Sequence, residues 1–213
     1  AGHITVVVPY MCYGRSDRKD QPRVPITARL VADMIQIAGA DRYITMDLHA
    51  GQIQGFFSIP GDVLSGYHII KPYLLDMLPS MNNPVMLTAD LGFAKRGRRY
   101  AEALNIPLAF IEKRRHGNRD KSEALTIIGD VLHRDVILID DEVDTGGSMA
   151  EAATLAKENG AENIYMVFVH PILSTNAVER LAALPVKQFI TTNTIPIPPE
   201  RQALFGGRLT ILT

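Results

Sequence analysis

The chain has one cysteine and no tryptophan in 213 residues. A lone Cys12 excludes an intramolecular disulfide framework and a cysteine-only zinc site, and it fits a reducing compartment, with the cytoplasm as default. No apolar run approaches the ~20 residues that a membrane helix needs, so no membrane association is expected. The opening "AGHITVVVPYM" lacks the basic region and cleavage pattern of a signal peptide. Charge of one sign is also missing: 22 Lys and Arg stand against 23 Asp and Glu, a net charge of -1. Neither disorder nor a polyanion-binding surface is indicated, and no nucleic acid partner is expected. The dipeptide Gly-Lys does not occur, which removes a Walker-type nucleotide loop. HExxH, GxSxG and a strand-following GxGxxG do not occur either.

What is present is alternation. Short apolar runs rich in β-branched residues ("ITVVVPY", "YITMDL", "PVMLTAD", "PLAFIEK", "DVILIDD", "NIYMVFVH", "QFITTNT") are separated by stretches of helical period ("ITARLVADMIQIAGA", "GYHIIKPYLLDML", "GRRYAEALN", "SMAEAATLAKENGA"). That pattern predicts an α/β fold with parallel sheets. Thr27 is expected to cap the first helix, with Leu30, Val31, Met34, Ile35 and Ala38 on its packed face and Gly39 ending it in the left-handed conformation; Gly160 is expected to end the helix after the acidic loop in the same way. "FFSIPGDVLSG" reads as a domain boundary, with a break near residue 65, and "NTIPIPPERQ" as a Pro-rich loop.

Ligands of open parallel sheets bind at the carboxyl ends of the strands. Four strand ends carry polar residues there: "PYMCYGRSDRKD", "MDLHAGQ", "TADLGFAKR" and "IDDEVDTGGS". In the last, Thr145, Gly146, Gly147 and Ser148 bring N–H groups and two hydroxyls to a helix start, a setting that suits phosphate. Asp140 and Asp141 cannot hold phosphate themselves, but adjacent carboxylates suit sugar hydroxyls or a metal ion shared with the ligand. Together these point to a sugar phosphate. The plainer alternative, a helix-capping turn built on Asp144 or Thr145, needs one acid where this loop has four. His49 and Asp90 lie at strand ends that can face one another, which favours a shared magnesium–nucleotide site, although each alone reads as a packing or capping residue. The basic clusters "GRSDRKDQPR" and "EKRRHGNRDK" follow strands directly, where a polyphosphate would lie. The second, with Gly117 and Asn118 and no apolar anchor between Arg114 and Ala124, is expected to form a mobile lid.

Taken together, "GRSDRKDQPRVPITA", "AGADRYITMDLHAGQIQGFF", "ADLGFAKR", "EKRRHGN", "IIGDV", "IDDEVDTGGS" and "TNTIPIP" resemble the ribose-phosphate pyrophosphokinase family over nearly the whole chain. The resemblance implies two phosphoribosyltransferase-like parallel-sheet domains. Residues 1–65, joined by 196–213, would be what remains of an incomplete first domain, and 66–195 would form the second. It also implies transfer of the diphosphoryl group of ATP to the 1-hydroxyl of ribose 5-phosphate with magnesium, giving AMP as second product. By matching positions, Asp140 and Asp141 would meet the sugar hydroxyls and Asp144 to Ser148 the 5-phosphate. His49 and Asp90 would serve magnesium–ATP, and Arg15 and Ser16 would contact ATP. Lys113 and Arg115 would stabilise charge on the transferring group, Arg115 near the substrate as well. The chain departs from the family pattern at Ser16, Ser58 and Phe93, where Gln, Asp and Gly are usual.

The family implies a homo-oligomer, a hexamer by analogy, and strands before "ITVVVPY" and a helix after "RLTILT". A partial chain is the favoured account of their absence, because deleting central strands would expose surface that folding must bury. The competing functions are a non-catalytic regulatory relative and a phosphoribosyltransferase. The lid residues Lys113 and Arg115 argue against the first, and the segments assigned to ATP against the second.

Overall fold

The computed structural model describes residues 2–115 and 123–213, with the side chains at 113–115 and 123–124 outside that description. The chain divides into two compact units, Ala1–Gly66 and Tyr67–Thr213. The first holds strand β1 (Thr5–Val8), helix α1 (Thr27–Ile37), β2 (Arg42–Met46), a short 3-10 turn at Gly51–Phe56, and β3 (Gly61–Leu64). The second holds α2 (Tyr67–Met77), β4 (Val85–Thr88), α3 (Ala94–Leu104), β5 (Leu108–Arg115), β6 (Glu123–Ile128), β7 (Asp135–Val143) and α4 (Gly147–Glu158). It continues with β8 (Asn163–Pro171), α5 (Ala177–Ala182), β9 (Gln188–Thr192), α6 (Pro199–Ala203) and β10 (Leu209–Leu212).

In the first unit the strands run parallel in the order β1-β2-β3, over a small core of Met11, Ala28, Ala32, Leu48 and Ile53. β3 was not expected. It lies inside the stretch taken for a boundary, where Pro60 and Gly61 disguise a four-residue strand that pairing with β2 stabilises. Tyr43 on β2 stacks on Phe57 with ring centroids 3.8 Å apart. The expected stripe on α1 is partly overturned. Ala28 and Ala32 are the buried residues, with Val31 and Ile35 packed against the core, while Leu30 and Met34 are 54% and 61% exposed. The two alanines let the helix lie close to the sheet, and that choice of face turns Leu30 and Met34 outward. Thr27 is also not the cap: Ile26 holds that position, no side chain caps the helix, and Thr27 is its first residue. Gly39 does take the left-handed conformation, at φ 99°.

The second unit is built on a seven-stranded sheet ordered β10-β9-β8-β7-β4-β5-β6. All neighbours are parallel except β5 and β6, which form an antiparallel pair not expected from the sequence. β7 and β8 are buried along almost their whole length, which explains their continuous apolar runs. α6 occupies part of the expected Pro-rich loop, and Gly160 closes α4 at φ 84°. The segment 196–213, expected to join the first unit, lies in the second. β10 pairs with β9 (Leu209↔Phe189), and Phe205 is buried against Phe189, ring centroids 4.8 Å apart. Burying those aromatic rings fixes the segment there.

Strand order sets where a ligand can go. From β4 the chain proceeds to β5 on one side, returns to β7 on the other side of β4, and then continues outward to β8, β9 and β10. The order therefore reverses between β4 and β7, and the crevice at their carboxyl ends is where an open sheet accepts ligands.

Candidate functional site

Both acidic strand ends of the second unit flank that crevice. After β4, the Thr88 hydroxyl donates to the Asp90 carbonyl at 3.1 Å, and the Phe93 N–H donates to Asp90 Oδ1 at 2.9 Å. Asp90 thus shapes the turn into α3 and presents its carboxylate at the end of the sheet. At the end of β7 the Asp141 N–H donates to Asp140 Oδ1 at 2.9 Å, and the Asp141 side chain interacts with the Asp140 carboxyl as well. Asp141 is almost fully buried, and Arg96 on α3 places Nη1 3.3 Å from its Oδ2. The Arg96 guanidinium also lies over the Phe93 ring, 5.6 Å from its centroid. Desolvation pushes the Asp140 carboxyl well above the usual carboxylate range, and the negative charges of Asp141 and Asp90 push it further. An acid held in that state gains when a cation or a hydroxyl donor arrives.

The loop beyond β7 is tied down by its backbone. Leu173 N–H donates to the Val143 carbonyl at 2.9 Å, and Ser174 N–H to the Asp144 carbonyl at 3.0 Å. α4 starts at Gly147 behind Gly146, which is left-handed (φ 73°, ψ 5°), and no side chain caps it. The capping position of α4 is thus held by a glycine and not by Asp144 or Thr145. Among the described residues none accepts from the N–H groups of Gly146, Gly147 or Ser148. N–H groups at a helix start, followed by three turns of aligned peptide dipoles, have the geometry and field that suit an anion.

Lys113 and Arg115 lie on β5, in register with Leu125 and Glu123 of β6. Their side chains, and residues 116–122 of the expected lid, lie outside the described residues. In the first unit, Gly14 packs against His49: a Cβ at Gly14 would come 3.3 Å from that of His49. This brings the "GRSD" and "LHAGQ" segments together, with Gln52 donating to the Asp17 carboxylate. Arg15 and His49 are exposed there and Ser16 is half-buried, its carbonyl accepting from the Ala28 N–H at 3.2 Å. Asp47 closes its own unit, accepting from the Ser65 hydroxyl at 2.9 Å. The unusual Ser58 donates its N–H to Gln36 Oε1 at 2.6 Å.

Among the described residues no group of three or more His, Cys, Asp or Glu side chains is placed to hold a metal. Magnesium needs no such cage, since it commonly takes one or two carboxylates together with substrate phosphates, so single ligands such as Asp90 fit it. Sequence reasoning missed three features. Arg96 could have been suspected, since it shares a short segment with Asp90. Arg180 on α5, which donates to the Thr145 carbonyl at 2.6 Å, is 35 residues away and leaves no local signal. Nor does the buried pairing of Glu142 and His170, in register on β7 and β8, with His170 Nδ1 2.9 Å from the Thr194 hydroxyl.

No described helix is long and apolar enough to cross a membrane. Residues 115–205 match the family model for the phosphoribosyl synthetase-associated domain, and residues 1–39 that for the N-terminal domain of ribose phosphate pyrophosphokinase. A curated ribose-phosphate pyrophosphokinase from Wolinella succinogenes is 45% identical over 200 residues, covering 94% of this chain and 64% of its own length. Another, from Caldanaerobacter subterraneus, is 46% identical over 202 residues, covering 95% and 63%. The chain therefore spans slightly less than two thirds of these relatives. A crystal structure of phosphoribosylpyrophosphate synthetase from Mycobacterium smegmatis superposes with a TM-score of 0.89 at 37% identity, covering all of this chain and 67% of that one.

Proposed function

This chain belongs to the ribose-phosphate pyrophosphokinase family, and we propose that it carries that family's reaction, transfer of the diphosphoryl group of ATP to the 1-hydroxyl of ribose 5-phosphate. The observation that carries the proposal is the pairing of Asp140 and Asp141 with an uncapped α4 start at the switch point of the second sheet. The N–H groups of Gly146, Gly147 and Ser148, with the hydroxyls of Thr145 and Ser148, receive the 5-phosphate. Asp140 and Asp141 accept hydrogen bonds from the sugar hydroxyls and so orient the 1-hydroxyl.

The chemistry is an in-line displacement. The 1-hydroxyl oxygen forms a bond to the β-phosphorus of ATP, the bond from that phosphorus to the α,β-bridging oxygen breaks, and AMP leaves with the bridging oxygen. The hydroxyl proton passes to solvent or to a phosphate oxygen. Such transfers are accelerated mainly by positioning and by stabilising spread negative charge. Arg15, Ser16 and His49 of the first unit bind ATP, and Lys113 and Arg115 on β5 meet the charge that develops on the transferring group. Magnesium would neutralise charge on ATP; Asp90 in the second unit and His49 in the first are each a candidate ligand for it. We place the reaction in the cytoplasm and expect a homo-oligomer, whose size sedimentation would give.

The test supplies ATP, magnesium and ribose 5-phosphate to the full-length protein and measures AMP. AMP formation that requires ribose 5-phosphate is expected, and Lys113→Ala should reduce it at least ~100-fold, the scale of losing one preorganised charge at the transition state. Absence of AMP would overturn the assignment. Tight ribose 5-phosphate binding without turnover would point instead to a regulatory relative.

A further inference from the structure

We infer that Arg180 is a positioning residue for the phosphate cradle: its guanidinium holds the Thr145 carbonyl so that the N–H of Gly146 points the opposite way, toward the anion. The inference rests on the reading of this loop as the 5-phosphate site. Arg180 Nη1 donates to the Thr145 carbonyl at 2.6 Å, and Nη2 lies 3.4 Å from Asn176 Oδ1 one turn earlier. The side chain is thus held from its own element while it reaches across to the loop.

In a planar trans peptide the carbonyl of one residue and the N–H of the next point in opposite directions. Anchoring the carbonyl of Thr145 therefore aims the N–H of Gly146. Gly146 is left-handed and Gly147 begins the helix, and such a change of hand makes successive N–H groups converge on one concavity. The neighbour of Arg180 supports the same peptide from below. A Cβ at Gly146 would lie 3.2 Å from Leu181 Cδ2 and Cγ, so the apolar side chain closes the floor under the glycine.

Two further effects favour an anion. A bond from a charged donor polarises the Thr145–Gly146 peptide, which makes its N–H a stronger donor. The guanidinium also leaves a positive charge behind the cradle, where it adds to the field of the α4 dipole, reduced by salt because Arg180 is exposed. A residue that only braced the fold would affect stability without discriminating among ligands. Arg180 should act specifically on ligands whose phosphate enters this loop.

The full-length protein and its R180Q and R180K variants are titrated with ribose 5-phosphate and, separately, with inorganic phosphate. Affinity is read by calorimetry and the Gly146 and Gly147 amides by NMR. R180Q should bind both ligands about tenfold more weakly, as expected for losing one charge-assisted hydrogen bond. R180K, which keeps a charged donor, should recover most of the loss. The KM for ATP and the melting midpoint should stay near those of the parent. Unchanged phosphate affinity in R180Q, or an unchanged response of the Gly146 amide, would overturn the inference. If R180Q does not fold, N176A frees one side of the guanidinium and should weaken phosphate binding by about threefold; no weakening there overturns the inference as well. If inorganic phosphate binds in an Arg180-dependent way but ribose 5-phosphate binds no more tightly than phosphate, the substrate reading falls and the role of Arg180 stands.

Discussion

Asp140 shows how far a single side chain is committed to a ligand at the expense of the empty fold. Its carboxyl is raised by desolvation first and by Asp141 and Asp90 next. In the folded chain it therefore holds a proton over a pH range where the unfolded chain has released it. Linkage then fixes the sign: the contribution of Asp140 to stability is greatest below the unfolded carboxylate value and is lost as pH rises through the raised folded value. Asp140→Asn keeps an oxygen that can accept from the Asp141 N–H and removes the ionisable carboxyl. It should raise the melting midpoint at neutral pH by roughly a few degrees, with a smaller gain at pH 4. The same change should weaken ribose 5-phosphate about tenfold or more, because a neutral oxygen accepts from sugar hydroxyls less strongly than a carboxylate does. The KM for ATP should move little. A less stable Asn variant at neutral pH would show that the Asp140 charge is better compensated than its surroundings imply.

Packing between elements depends on a glycine in an unusual place. Gly97 lies inside α3, where alanine is favoured by about 1 kcal/mol on propensity alone. A Cβ there would come 2.3 Å from Cγ2 of Thr88, a fully buried residue of β4 whose hydroxyl also bonds the Asp90 carbonyl. Overpacking of this kind costs about 1–3 kcal/mol, so Gly97→Ala should lower the melting midpoint despite the better helix former. Adding Thr88→Ser, which deletes Cγ2 and keeps the hydroxyl, should recover most of the loss. A midpoint raised by Gly97→Ala alone would mean that α3 can move away from β4.

The same closeness explains what sequence could and could not reveal at this scale. β7 and β8 were legible because a strand buried on both faces must be apolar throughout, and α3 because its apolar positions recur at helical spacing. β3, β6 and α6 carry no comparable signal. β3 has four residues, beginning with Gly61 directly after Pro60, β6 alternates at a sheet edge beside Lys and Arg, and α6 has five residues within a Pro-rich stretch. Pairing or packing with distant segments stabilises each of them. The acid- and glycine-rich strand end draws attention for the opposite reason, since such residues have little other use there, whereas Arg180 reaches that loop from 35 residues away and leaves no local signal.

Across the whole molecule the two units differ in what holds them together. The first packs three parallel strands over Met11, Ala28, Ala32, Leu48 and Ile53, and leaves Ile4, Val7, Leu30, Met34, Ile37 and Leu64 substantially exposed. The second buries both faces of β7 and β8 with Phe168, Phe189 and Phe205 among its largest enclosed side chains. Stabilisation scales with apolar area removed from water, so the units should open with very different free energies and a single two-state transition is not expected. In native-state hydrogen exchange, amides of β1 and β2 should exchange through openings several kcal/mol cheaper than those of β7 and β8. With ribose 5-phosphate in the loop after β7, as proposed, 100 times its Kd should stabilise the second unit by about 2.7 kcal/mol and slow β7 and β8 exchange by roughly 100-fold. Exchange in β1 and β2 should not change. Equal slowing in all four strands would mean that the chain opens as one body, and slowing confined to β1 and β2 would place the sugar phosphate in the wrong unit.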